Sequence, residues 1–265
     1  MPFISSVRGS FGPQGRFGKK AIGAATYVSI TSSGTYTIPS DIASEIPIEV
    51  YVVGGGGGAS YGYGGGGGGG GITFKSMFVT PSQVFNVTVG GGGANAYPDQ
   101  GINGGTGGQS SFGSVVAYGG GGCAHYGGGG NGLTGGSGGG GSNSGAGGAV
   151  QVGTGGDAYY GNIGGDGGSR APASAYNTGC GAGGGAGSAA VKGAAGAGIQ
   201  FWGLPTYYGA GGRGHGYNTN PTLGTGGVEP AWNAENTGQG SSSDSNGNVN
   251  RGANGIIRVR YYPYA

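Results

Sequence analysis

Cys123, His125, Cys180 and His215 are the side chains here best suited to bind a metal or supply a nucleophile. Structural zinc takes closely spaced pairs such as Cys-x-x-Cys, and just Cys123-Ala124-His125 approaches that spacing. A thiol hydrolase needs an oriented base beside its cysteine, and no nucleophile elbow marks either thiol. The two cysteines are read as free thiols or as one disulfide at most. Asp244-Ser245-Asn246-Gly247-Asn248-Val249-Asn250 has the alternating acids and amides of a calcium loop. Its sixth position is Val249 and its twelfth Gly255, where such a loop needs Gly and Glu. The Gly-Gly-Asp pairs ending at Asp157 and Asp166 do not follow the calcium-binding nonapeptide, and all of these read as turns. Gly-x-Gly-x-x-Gly matches arise by chance in so glycine-rich a chain, and none opens a helix within a βαβ unit. The early Gly18-Lys19 is followed by Lys20, so no phosphate loop of the P-loop type forms. The expectation is a protein without catalysis, cofactor or metal.

The chemistry that stands out is contact chemistry. Tyr159, Tyr160, Tyr176, Phe201, Trp202, Tyr207, Tyr208, Tyr217 and Trp232 sit in islands amid Gly, Asn, Ser and Thr. Rigid aromatics supply binding area and small polar residues adapt their hydrogen bonds, the composition of a binding loop. These nine are the receptor-binding candidates, whereas Tyr61, Tyr63 and Tyr118 read as structural.

What must hold such islands is mostly glycine: 79 of 265 residues, roughly 30% against about 7% in ordinary proteins. Collagen is excluded, because glycine does not recur strictly every third residue. Disorder fits poorly, because aromatics reach 10% and charged residues only 8%. Ordering a residue costs about 1–2 kcal/mol, and glycine loses the most freedom. With few side chains to bury, the backbone must stabilise itself. Extended polyproline-II-like glycine helices pack closely without Cβ atoms, bond laterally through their amides and add weak Cα–H···O contacts.

Strand signals bracket these runs. β-branched and aromatic residues at 27–31 and 34–39 are followed by the apolar IEVYVV at 48–53. The runs 54–58 and 64–71 then lead to strand-like 72–80 and 83–89, with a shorter candidate at 114–118. At the end Ile257, Val259 and Tyr261 alternate with Arg258 and Arg260, a strand expected to return beside 48–53. The reading is all-β and irregular: a small β-sheet base, a polyglycine II bundle or sandwich with protruding loops, and essentially no α-helix. It divides into an attachment segment (1–25), a β-rich base with the first glycine runs (26–90), a glycine-rich region with aromatic loops (91–254) and a returning strand (255–265).

The net charge is +2, and Arg8, Arg16, Lys19 and Lys20 supply all the charge of the first twenty residues. With Phe11 and Phe17 they make a basic, glycine-spaced docking candidate. No long basic run points to nucleic acid. No secretory apolar region and no bilayer-spanning stretch is recognised.

The order SGTYTIP, IEVYVVGGGGG, VTPSQVFNVTVGGGG, GGTGGQSSFGSVVAYGGGG and GANGIIRVRYY, across 34–262, resembles the glycine-rich domain of phage tail-fibre and virion proteins. More loosely it is similar to the distal tail-fibre adhesins of T-even-type phages. The resemblance implies a sandwich of polyglycine II helices that presents variable loops to a host receptor. The leader departs from those adhesins in lacking a tryptophan-rich attachment segment. The expected role is thus a virion protein, exposed on the particle and assembled in the host cytoplasm, that binds a host-surface protein or glycan. Its leader would contact other virion proteins, and it could form a homo-oligomer. The alternative is a structural component: a capsid decoration, head fibre or tail-assembly protein.

Overall fold

The computed structural model describes residues 24–42, 45–60, 64–96, 101–125, 130–166, 180–190, 194–214, 236–243 and 251–263. The protein is all-β, with no helix among the described residues. One sheet has the order β1 (Thr26–Ile30), β11 (Ile256–Tyr261), β3 (Ile46–Val53), β4 (Ile72–Val79), β8 (Ala158–Tyr160). A second has the order β2 (Gly34–Thr37), β5 (Val84–Thr88), β6 (Ser110–Phe112), β7 (Val115–Ala117). All of their pairings are antiparallel. The C-terminal strand β11 lies beside β3, with Ile256 opposite Val53 and Tyr261 opposite Ile48.

Alternation decides which face each side chain takes. Ile48, Val50 and Val52 of β3, with Ile257 and Val259 of β11, turn inward and meet Val87, Phe112, Val115 and Ala117 of the second sheet. Each such aliphatic or aromatic side chain gains roughly 1.5–3 kcal/mol on full burial. Thr73, the buried polar residue on this inner face, donates its hydroxyl to Val116 O at 2.8 Å.

Beyond the sheets the chain becomes a lattice organised around segment 64–71, whose glycines are all buried. Its amides rotate through three directions. Gly66 and Gly69 donate to Gly181 and Gly184, Gly67 and Gly70 to Ser241 and Gly238, and Gly68 and Gly71 to Gly121 and Tyr118, all at 2.7–3.0 Å. A return every third residue is the geometry of a helix with three residues per turn. Its carbonyls accept from Gly54 and Gly57, from Ser137 and Gly140, and from Gly212. Three segments receive and three give, so the central helix has six neighbours. No Cβ fits there: one built on Gly67 would lie 2.1 Å from Gly57 O, and one on Gly68 2.2 Å from Ser137 O.

The lattice gives the molecule two poles. Segment 54–58 leaves β3 and 64–71 returns to β4, with Gly54 bonded to Gly71 beside the sheet. At the far pole lie the Ser60–Ala96 bridge, Gly65 N bonded to Ala124 O, and the Ser243 hydroxyl bonded to Gly64 O. Thr26, Tyr261, Ile46 and Val79 mark the opposite, sheet pole.

Candidate functional site

The longest aromatic island folds over the outer face of the first sheet as a hairpin of β9 (Ile199–Gln200) and β10 (Tyr207–Tyr208). Its chain turns sharply at Phe201-Trp202-Gly203-Leu204, where Leu204 N donates to Phe201 O at 2.9 Å. Trp202 has φ +53° and Gly203 φ +71°, as a type I′ turn requires of both central residues. Glycine takes that conformation freely. For tryptophan it costs about 1–2 kcal/mol, and the contacts of its side chain offset that strain.

Those contacts form one connected set. Phe201 stacks between Tyr51 (centroids 4.0 Å, 5° between planes) and Tyr208 (4.3 Å, 2°). Such pairs add about 0.5–1.5 kcal/mol beyond area burial. Trp202 meets Tyr51 edge-on at 5.2 Å and lies 5.5 Å from Tyr27. Its indole Nε1 donates to Glu49 Oε2 at 2.6 Å, and the same oxygen receives Arg260 Nη2 at 2.5 Å. The Arg260 guanidinium lies 5.0 Å from the Trp202 ring centre and 5.7 Å from that of Tyr262, within cation–π range. Burial raises the pKa of the Tyr51 hydroxyl, and the neighbouring Tyr160 and Glu49 add to the rise.

These positions change the reading of several candidates. Phe201 is fully buried and Tyr208 nearly so. They belong to an inner cluster with Val53, Ile72, Ala186 and Ile256, so neither forms a receptor-contact surface. Tyr159 and Tyr160 form strand β8 against Thr73 and Ile72, not a projecting loop. The Tyr159 hydroxyl reaches Gly136 O at 2.6 Å and Gln151 O at 2.5 Å, and burial pushes its pKa up to about 12. It ties the sheet edge to the lattice. Tyr207 and Trp202 stay half-buried. Tyr176, Tyr217, Trp232, Tyr61 and Tyr63, and the docking candidates Arg8, Phe11, Arg16, Phe17, Lys19 and Lys20, lie outside the described residues.

Sequence reasoning missed Tyr27, Glu49, Arg260 and Tyr262. Strand alternation was the available signal: Tyr27, Glu49, Arg258 and Arg260 all fall on the face opposite the aliphatic core. Cys123 and Cys180 are not joined in a disulfide, and both are buried in the lattice. Burial pushes both thiols up to about 12, with Cys123 adding to the rise at Cys180. They are therefore neutral at physiological pH, the unreactive form of a thiol. Among the described residues, no group of three or more His, Cys, Asp or Glu is placed to hold a metal.

The far pole gathers another feature. Ser60 and Gly64, Ala96 and Gly101, His125 and Gly130, Asp166 and Cys180, and Ser243 and Arg251 all end lattice segments there. These pairs flank 61–63, 97–100, 126–129, 167–179 and 244–250, and Gly214 leads into 215–235 from the same pole. The sequence matches a family model described as Glycine-rich domain over residues 29–262. The chain belongs to this family. The match runs from β1 to the residue after β11, so it takes in this glycine-rich domain's sheets and lattice together and leaves the basic leader outside. No curated protein matches the chain.

Proposed function

We propose that this glycine-rich domain is a phage virion protein, a receptor-binding tail-fibre adhesin anchored at one pole and displaying loops at the other. The observation that carries the reading is its polarity. β1 starts and β11 ends at the sheet pole, where Thr26 pairs with Tyr261. The described lattice ends that flank 61–63, 97–100, 126–129, 167–179 and 244–250 lie at the far pole. Between them stands a lattice whose amides bond in three directions, which holds the display end at a set distance from the anchor. A host-surface protein or glycan is the expected ligand of the loops, and other virion proteins are the expected partners of the leader. The role is contact without catalysis, since the aromatic cluster offers area and charge but pairs no nucleophile with a base.

Particles carrying Tyr176→Ala and Tyr217→Ala should assemble normally and lose adsorption to host cells. Undiminished adsorption, with the protein still on the particle, would overturn the adhesin reading. The investment of so much chain in the lattice favours a second reading, a structural component of head or tail. Immunogold labelling on the capsid shell instead of the tail tip would select it.

A further inference from the structure

We propose that the outer face of the first sheet, at the sheet pole, is a docking surface for a protein partner that presents an acidic side chain. The proposal rests on the reading of this pole as the anchored end.

Strand alternation brings Tyr27, Arg260, Glu49 and Ser76 into one row across the sheet, and Ser29, Arg258, Tyr51 and Phe74 into the next. The hairpin covers Tyr51 but stops short of the pole. There Phe78 is 66% exposed, Tyr27 42% and Tyr262 40%, beside the exposed Pro47. Contiguous exposed apolar surface with a polar rim marks an interaction site. Tyr, Trp and Arg together are the residue types that dominate protein–protein hot spots.

Charge decides the occupant. Arg260 is neutralised by Glu49. Arg258 has the Ser29 hydroxyl as its hydrogen-bond partner, no acidic partner among the described residues, and a buried Nε without a partner. Among the described residues, the face therefore keeps one uncompensated positive charge. This argues against the chain's own leader, whose charged residues Arg8, Arg16, Lys19 and Lys20 are all basic. A carboxylate is the complement, because it takes two parallel N–H donors from a guanidinium. A glycan is disfavoured because Arg260 already occupies the Trp202 ring.

The test is selection of a random-sequence peptide library on the immobilised full chain. Peptides enriched in Asp or Glu next to aromatic residues are expected, with capture about tenfold weaker or more for Arg258→Glu and for Phe78→Ser. Val84→Ser, an exposed position on the second sheet, should leave capture unchanged. Phe78→Ser removes an exposed ring, so it reports the face even where Arg258→Glu perturbs folding. Selection without acidic enrichment, or capture indifferent to both variants, would overturn the proposal, as would retention on polygalacturonate beads in place of peptides. Host adsorption is read separately, so failure of the adhesin reading leaves this outcome distinct.

Discussion

Glu49 and Trp202 stand 153 residues apart in sequence and are joined by one 2.6 Å hydrogen bond from indole to carboxylate. The same carboxylate oxygen holds Arg260, so one acidic side chain locks the hairpin to the sheet and neutralises one of the two outward guanidinium groups of β11. Glu49→Ala should cost about 1–3 kcal/mol, because it leaves two donors without their acceptor. In a Trp232→Phe background, which leaves Trp202 as the sole tryptophan, its emission should shift to the red and become more accessible to acrylamide. Unchanged emission would mean the hairpin is held by the ring stack alone.

The stack itself sets the second expectation. Phe201→Ala removes a fully buried ring between Tyr51 and Tyr208 and should destabilise by about 3–5 kcal/mol. Tyr207→Ala, at the first residue of β10 and half-buried, should cost much less. Thermal unfolding of the two variants checks the difference. Any loss of binding in Phe201→Ala then reports unfolding and not a lost receptor contact.

The lattice is tested by single methyl groups. Gly67→Ala places its Cβ 2.1 Å from a backbone carbonyl that is itself bonded within the lattice. No side chain can swing away, so the loss should meet or exceed the about 1–3 kcal/mol typical of overpacking. Gly91→Ala is the control: its nearest neighbour would be Asn254 Oδ1 at 3.9 Å. That variant should match the parent in urea unfolding. Equal midpoints for the two would show that segment 64–71 is a tether.

Much of this was legible in the residues. The alternation of Ile257, Val259 and Tyr261 against two arginines marks a half-buried strand, and IEVYVV marks one covered on both faces, so their pairing follows. Glycine runs between good strands imply helices without Cβ atoms. The order of neighbours around 64–71 was not legible. Glycine helices donate and accept alike, so nothing in the side chains says that 181–184 and not 132–135 lies beside Gly66 and Gly69. Tyr159 and Tyr160 were unreadable as a strand for a related reason. Three residues are too few for a period, and the partner of Tyr159 is a pair of backbone carbonyls. Phe201 read as a loop residue because its cover comes from Tyr51, 150 positions earlier.

The buried thiols set the response to alkali. Cys123 and Cys180 ionise at about 9 when unfolded and about 12 in the folded chain, chiefly because burial disfavours the thiolate. Between those values the unfolded chain binds fewer protons than the folded one, so stability falls as pH rises. The contribution is complete below about pH 9 and is lost progressively toward about pH 12. Each thiol steepens the decline by at most about 1.4 kcal/mol per pH unit. Tyr36 and Tyr159, also raised to about 12, join from their ordinary value of 10. Cys123→Ala keeps the Cβ and removes the ionisable atom. It should therefore flatten the fall between about pH 9 and 10, before the tyrosines contribute. Urea midpoints measured across that interval check this, and an unchanged slope would show that Cys123 is not sealed within the lattice.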